Sequence, residues 1–330
     1  PERSRARSGA RGRQACDPQG ELTMMAIPYR LPLGACFLML TACAASPSVP
    51  LVDIENTSKS DVHDTSDTDD VAVTLTTAID VSVPPPYRKQ VEYAQIEGLS
   101  LFREDRAAWL ATDAVVAAGI VDRHRSMATG WLAQQQDADG RIWNVAFTAK
   151  DGEQGVAYAD VHVDLAASEP IISTQENTPP RRLSGWEEVL TYARIAFSKK
   201  EWLRCADTYN PSTQVFVDEG RKYVVVRMLP AQLKPDHLPM GGFHRFKIPM
   251  FEGESVDHFA QTSSCIDIDT SALDTNESFG MTLTTTSAPT EFDVFTSLSY
   301  RRPHYVITDA GSWLVENGKI RWLSEPKETP

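Results

Sequence analysis

No uninterrupted apolar run in the 330-residue chain reaches the roughly 18 residues that a membrane-spanning helix needs. Positive charge is also short: 32 Lys and Arg stand against 45 Asp and Glu, a net charge of −13. That balance excludes a broad nucleic-acid surface, which needs Lys and Arg clustered opposite phosphates. It equally excludes docking on anionic lipid by charge alone. The chain has no Gly-x-Ser-x-Gly elbow, no His-Glu-x-x-His, no phosphate loop and no Gly-x-Gly-x-x-Gly. Nothing here announces a catalytic centre, and the sequence leans away from an enzyme. Cysteine is sparse at five residues, whereas an apolar fraction of 42% is ordinary and rules out wholesale disorder.

What is present divides into four unlike parts. Residues 1–23 begin with Pro, contain no Met and carry several Arg among Ser, Ala and Gly. The expectation is that translation begins at Met24 or Met25 and that 1–23 are a non-native or mis-called extension; a basic N-terminal tail is the alternative. Residues 24–42 place one positive charge, Arg30, before the mostly apolar stretch Leu31–Ala42, the order of a secretory signal. Within it, Leu40-Thr41-Ala42-Cys43 puts an apolar residue three before a Cys, with small residues between. This segment resembles the lipobox of bacterial lipoproteins. The resemblance, which covers residues 24–43 alone, implies a diacylglyceryl lipid on Cys43 and cleavage before it; no other cofactor is expected. Because Ala44 rather than Asp follows, it also implies an outer-membrane destination facing the periplasm. Each buried methylene contributes about 0.8 kcal/mol, so two or more acyl chains anchor firmly without any basic patch.

Residues 43–86 are rich in Ser, Thr, Asp and Pro, lack aromatics, and set eight acidic residues against Lys59. Such a segment has too little to bury and is expected to be an extended acidic tether. Its Asp and His residues have no fixed geometry for a metal, and no metal site is expected.

Residues 87–330 are long enough for a sizeable core, as one domain or as two subdomains meeting near 170–183. Apolar periodicity predicts a first helix over 96–118, with Phe102, Trp109 and Val116, and Leu101, Ala108 and Val115 beside them, in one inward stripe and Gly119 at its end. A second is predicted over 185–203, capped by Ser184 and Glu187 and inward through Trp186, Val189, Leu190, Ala193 and Phe197. Period-two stretches predict strands at 130–136, 141–148 and 156–165, then at 213–217, 222–229, 242–249, 279–286, 292–299 and 304–308. A final hairpin turns at Asn317-Gly318, setting Trp313 opposite Trp322. Runs of strands joined by short turns, with two main helices, predict an α+β fold with antiparallel sheet. After lipidation of Cys43 and loss of Cys16 and Cys36, Cys205 and Cys265 remain, an even pair suited to a disulfide in an oxidising compartment.

Few residues suggest chemistry. Strand alternation puts Asp160, His162 and Asp164 on one face, where an Asp could orient a His base or two could share a metal; a solvated outer face gives the same pattern. His244 falls on the side of Phe246, Ile248 and Met250, so it is expected inward, as a core histidine or a base. Asp113 falls inside the Phe102/Trp109/Val116 stripe, where a carboxylate needs a partner such as Arg106 or a raised pKa. Gln135–Gly140 resembles a calcium loop but lacks its ligands and reads as a turn. The favoured reading is an exported lipoprotein that binds an envelope protein or a small molecule. A periplasmic hydrolase built on the Asp and His candidates, or a structural envelope protein, are the alternatives. Replacing Cys43 by Ser is expected to abolish acyl incorporation and release the chain from membranes on fractionation; persistent membrane partitioning without acyl label would refute the anchor.

Overall fold

The computed structural model describes residues 79–325, apart from 153, 199–200, 219–220, 233, 235–236, 251–255, 272–278 and 283–284. The signal segment, Cys43 and the tether as far as residue 78 lie outside the described residues. The packed chain starts earlier than expected, since Val83 is fully buried ahead of a 3-10 turn at Pro85–Tyr87.

Helix α1 spans Arg88–Ala117 and stops where Gly119 takes a left-handed φ of 66°, a conformation that costs glycine little. It begins eight residues before the expected start. Half of the expected stripe is buried, at Leu101, Ala108 and Val115, whereas its other side turns outward, with Trp109 and Val116 41% and 56% exposed. A short helix, α2, follows at Ile120–His124. Four strands then form one antiparallel sheet in the order β1-β2-β3-β4: β1 Ala128–Gln135, β2 Ile142–Asp151, β3 Gln154–Asp164 and β4 Ile171–Arg182. Residues 170–183, the expected place for a subdomain boundary, therefore hold a strand of this sheet. The sheet's inner face packs Trp143, Val145, Phe147, Val161 and Val163 against Ala107, Ala111 and Val115 of α1.

Helix α3, Gly185–Ser198, is shorter than expected but capped as expected: Ser184 N–H donates to Glu187 Oε2 at 2.6 Å, and Glu187 N–H to Ser184 Oγ at 3.4 Å. Its Leu190, Ala193 and Phe197 pack against Leu132 of β1 on one side, and against Val224, Val226 and Phe246 of a second sheet on the other. Trp186, expected inward, is 47% exposed. The second sheet runs β5-β6-β8-β9, antiparallel throughout: β5 Tyr209–Asp218, β6 Arg221–Pro230, β8 His244–Pro249 and β9 Asp257–Ala260. A small ribbon pairs β7, His237–Pro239, with β10, Asp267–Asp269. The Cys205–Cys265 disulfide is formed, closing a loop of 60 residues, which in the chain-entropy account stabilises by about 4 kcal/mol.

The last sheet orders β11 Phe279–Thr282, β12 His304–Thr308, β13 Gly311–Glu316 and β14 Lys319–Ser324. Its β11–β12 pair is parallel, and the rest is antiparallel. The hairpin has the expected register, with Glu316 opposite Lys319 and Trp313 opposite Trp322; Asn317 and Gly318 take φ of 48° and 77°, as a type I′ turn requires. Residues 292–299, expected as a strand, instead form helix α4, Glu291–Ser299. The reason is local. Thr290 and Asp293 make a capping box, and Phe292, Phe295 and the partly buried Leu298 recur at three-residue intervals. Because every residue from Glu291 to Ser297 is buried, no polar face betrays the helical period.

Helices α1 and α4 meet at Gly98. A methyl group there would stand 2.4 Å from Val294 Cβ and 2.7 Å from the Glu291 carbonyl oxygen. Helix propensity alone would make Gly98→Ala stabilising by about 1 kcal/mol. Overpacking reverses the sign, and urea unfolding of G98A is expected to show a net loss of about 2 kcal/mol. A gain would mean that the two helices do not meet there.

Candidate functional site

Strand β3 carries three of the expected site residues, and a bulge decides which neighbours they have. The register against β4 slips between Ala157 and Ala159, so the alternation changes phase at Tyr158. Tyr158 therefore turns into the α1 core instead of sharing the Asp160 face. Beyond the bulge the expected alternation holds: Ala159, Val161 and Val163 face inward, and Asp160, His162 and Asp164 lie on the outer face.

These three do not pair as base and orienter. Asp160 accepts hydrogen bonds from Arg181 Nε at 2.7 Å and from Asn177 Nδ2 at 2.7 Å. His162 Nδ1 lies 3.0 Å from Asn144 Oδ1, an oxygen that can only accept, and its Nε2 faces no side-chain partner within the described residues. Asp164 accepts from the Ala166 N–H at 2.7 Å and so closes a turn.

The outer face around Asp160 and His162 forms a groove of about 330 Å³. Cross-strand register builds its floor in two rows. One runs Gln134, Asn144, His162, Ser173 across β1 to β4; the next runs Ala146, Asp160, Gln175. Arg181 from the end of β4 and Glu187 from the first turn of α3 complete the lining with Val161. Arg181 sits between the two acids, with Nη2 at 2.5 Å from Asp160 Oδ1 and 2.7 Å from Glu187 Oε1. Burial opposes ionisation of both carboxyls, but hydrogen bonds from Arg181, helped by Asn177 and by Ser184, outweigh it and hold both pKa values below the ordinary range. The same bonds, Glu187 first and Asp160 second, raise that of Arg181. Gln134, Ser173 and Gln175 make no side-chain hydrogen bond within the described residues.

His244 is buried as expected, but on a different sheet. Its Nε2 lies 2.7 Å from the Leu203 carbonyl oxygen and its Nδ1 3.1 Å from His258 Nε2, with Trp202 packed edge-on at 4.7 Å. Burial pushes its pKa down to about 4, more than the Leu203 bond raises it, so the ring stays neutral in ordinary buffers. Asp113 departs from expectation. It is exposed, because the buried stripe of α1 is the one through Leu101 and Ala108; burial of its surroundings still pushes its pKa up.

The acids that α1 does bury are Glu97 and Glu104, with Asp105 half-buried beside them and pushed up to about 7 by burial and by the charge of Glu104. They sit at the helical spacing of Leu101 and Ala108, so the signal was in the sequence, on the Leu101/Ala108/Val115 side of the expected stripe. Arg181, Ser173 and Gln175 were missed because Thr178-Pro179-Pro180 argues against a strand; β4 accommodates the prolines at a sheet edge, with a cis bond at Thr178-Pro179. Gln134 and Asn144 follow from the β1–β2 register. Among the described residues no group of three or more His, Cys, Asp or Glu could hold a metal ion, and no helix is long and apolar enough to cross a membrane.

Replacing Arg181 by Met leaves Asp160 and Glu187 without their cation. With Asp160 about one-third exposed and Glu187 nearly buried, the expected loss is about 2 kcal/mol at pH 7, between the values for exposed and for buried pairs. Both carboxyls have lowered pKa values in the folded chain. Their contribution is present above the unfolded carboxylate pKa of about 4 and is lost as pH falls through the folded values. Denaturant unfolding from pH 7 to pH 3 is therefore expected to show the two proteins converging on the acid side; a constant difference would contradict the pairing.

No protein family, curated protein or solved structure matches the chain.

Proposed function

We propose that the chain is an exported bacterial lipoprotein, held by a diacylglyceryl group on Cys43, whose folded region works by binding a ligand in the outer-face groove of the β1–β4 sheet. The lipobox-like Leu40-Thr41-Ala42-Cys43 supports export and anchoring, with the outer membrane facing the periplasm as destination. The acidic tether would then set the folded region away from the lipid surface, as like charges extend a chain.

One observation carries the choice of binding over hydrolysis. The charged groups of the groove are spent on one another, Arg181 on Asp160 and Glu187, whereas the side chains of Gln134, Ser173 and Gln175 make no hydrogen bond within the described residues. A hydrolytic site would need an acid or base with an orienting partner aimed at substrate. Here Asp160 is bound by Arg181 and does not orient His162, whose partner is the neutral Asn144 amide rather than a carboxylate.

The test is a titration of the full chain with fractionated soluble envelope extract, followed by the side-chain amide resonances of Gln134, Asn144 and Gln175. The expected result is a reversible shift of these resonances with one fraction, and recovery of the ligand unchanged. Turnover of the ligand that disappears in His162→Ala would replace this reading by the hydrolase. No groove shift with any fraction would overturn it.

A further inference from the structure

The chemistry of the groove narrows what it can hold. Its fixed charges are one cation between two anions, Arg181 between Asp160 and Glu187, already joined by hydrogen bonds. An anionic ligand such as a phosphate or carboxylate would find the only cation occupied and an excess negative charge beside it. An aromatic or lipid ligand would find little to cover, because the apolar lining is limited to Ala146 and Val161. What remains is a set of polar groups: the amides of Gln134 and Gln175 and the Ser173 hydroxyl, each able to donate and accept, and the ring Nε2 of His162.

Their spacing is that of the sheet. Gln134, Asn144, His162 and Ser173 lie in register on four adjacent strands, so a polar group recurs about every 4.8 Å across the floor. An extended pyranose chain advances by close to one such step per residue, and each of its rings carries several hydroxyls that donate and accept. A peptide fits this face less well. It gains most of its affinity from main-chain hydrogen bonds at a strand edge, and the floor presents side chains rather than backbone.

Resting on the groove as the binding site, we propose that its ligand is an uncharged, linear saccharide lying across strands β1 to β4. Bidentate contacts come from Gln134 and, one row over, from Gln175, with Ser173 and His162 Nε2 completing the Gln134 row. Asp160, Arg181 and Glu187 act as positioning residues that hold the end of β4 and the start of α3 at the groove wall.

The experiment uses the full chain and three sets of probes at concentrations up to about 10 mM, enough to detect weak binding. These are neutral tetrasaccharides (cellotetraose, maltotetraose and chitotetraose), an uncharged Ser/Thr/Gly hexapeptide, and inorganic phosphate. Calorimetry and the groove amide resonances are read together. The expected result is binding of at least one tetrasaccharide that shifts Gln134 and Gln175 and weakens about tenfold or more in Gln134→Ala/Gln175→Ala. Ile171→Ser, on the exposed rim, should leave it unchanged. Both substitutions are at solvent-accessible positions, and thermal unfolding confirms that each variant is folded. No tetrasaccharide binding, or binding indifferent to the double substitution, overturns the saccharide. If the peptide or phosphate moves the groove amides instead, the groove stands as a binding site and only the ligand class fails; if no probe moves them, the saccharide is refuted, and the extract titration decides the groove itself.

Discussion

Arg227 is the constraint on which the middle of this fold depends. It lies on β6 with a fully buried side chain, directly opposite Arg245 of β8, so two like charges face each other across adjacent strands. Such a pair is unfavourable unless anions intervene. Glu97 of α1 accepts from Arg227 Nη2 at 2.5 Å, and Glu291 at the start of α4 accepts from Arg245 Nη1 at 2.7 Å while lying 3.7 Å from Arg227 Nε. Gln214 of β5 accepts from Arg227 Nη1 and donates to Glu104 of α1, which also takes the Ser212 hydroxyl and the Thr213 N–H. Burial pushes the carboxyls of Glu97 and Glu104 up, while the surrounding carboxylates keep Arg227 protonated. A buried set of this kind adds little over a well-packed apolar core, but removing one member costs about 3–5 kcal/mol, because the rest are left uncompensated.

The set makes α1 a shared spine. Its later turns cover the β1–β4 sheet, its middle carries Glu97 and Glu104 into the β5–β6 strands, and Gly98 admits α4. Pairing of charges recurs outside the core. Arg123 and His124 both bond Glu176, whose pKa is held down to about 2, and Arg181 joins Asp160 to Glu187. A chain with a large net negative charge thus spends its buried and half-buried cations on structure. Gln134, Ser173 and Gln175 make no side-chain hydrogen bond within the described residues, which is the basis for the proposed binding surface.

Much of the architecture was legible in residues. The Asn317-Gly318 turn predicts its hairpin to the register, Ser184 and Glu187 predict the start of α3, and the Cys205–Cys265 pairing follows from cysteine arithmetic. The misses have physical causes. Helix α4 is buried all round, so its period carries no contrast. Simple alternation would put Tyr158 on the Asp160 face, but the bulge between Ala157 and Ala159 turns it into the core. The α1 stripe is only partly legible: Leu101, Ala108 and Val115 pack as expected, but Trp109 and Val116 turn outward and the packed side continues instead through Ala111, Glu97 and Glu104. Of the site, Asp160 and His162 were legible by alternation alone. Their actual partners, Arg181 and Asn144, needed the register of strands that two prolines had concealed or that only pairing reveals.

The claim that buried charge binds the second sheet to α1 and α4 is open to one direct measurement. Native-state amide hydrogen exchange on Arg227→Met, a change that keeps much of the side-chain volume, reports each element separately. The account requires protection to fall together in β5, β6, the Glu97–Glu104 stretch of α1 and the first turn of α4, while the β2–β3 hairpin keeps more of its protection. A loss confined to β6, or none at all, would contradict it.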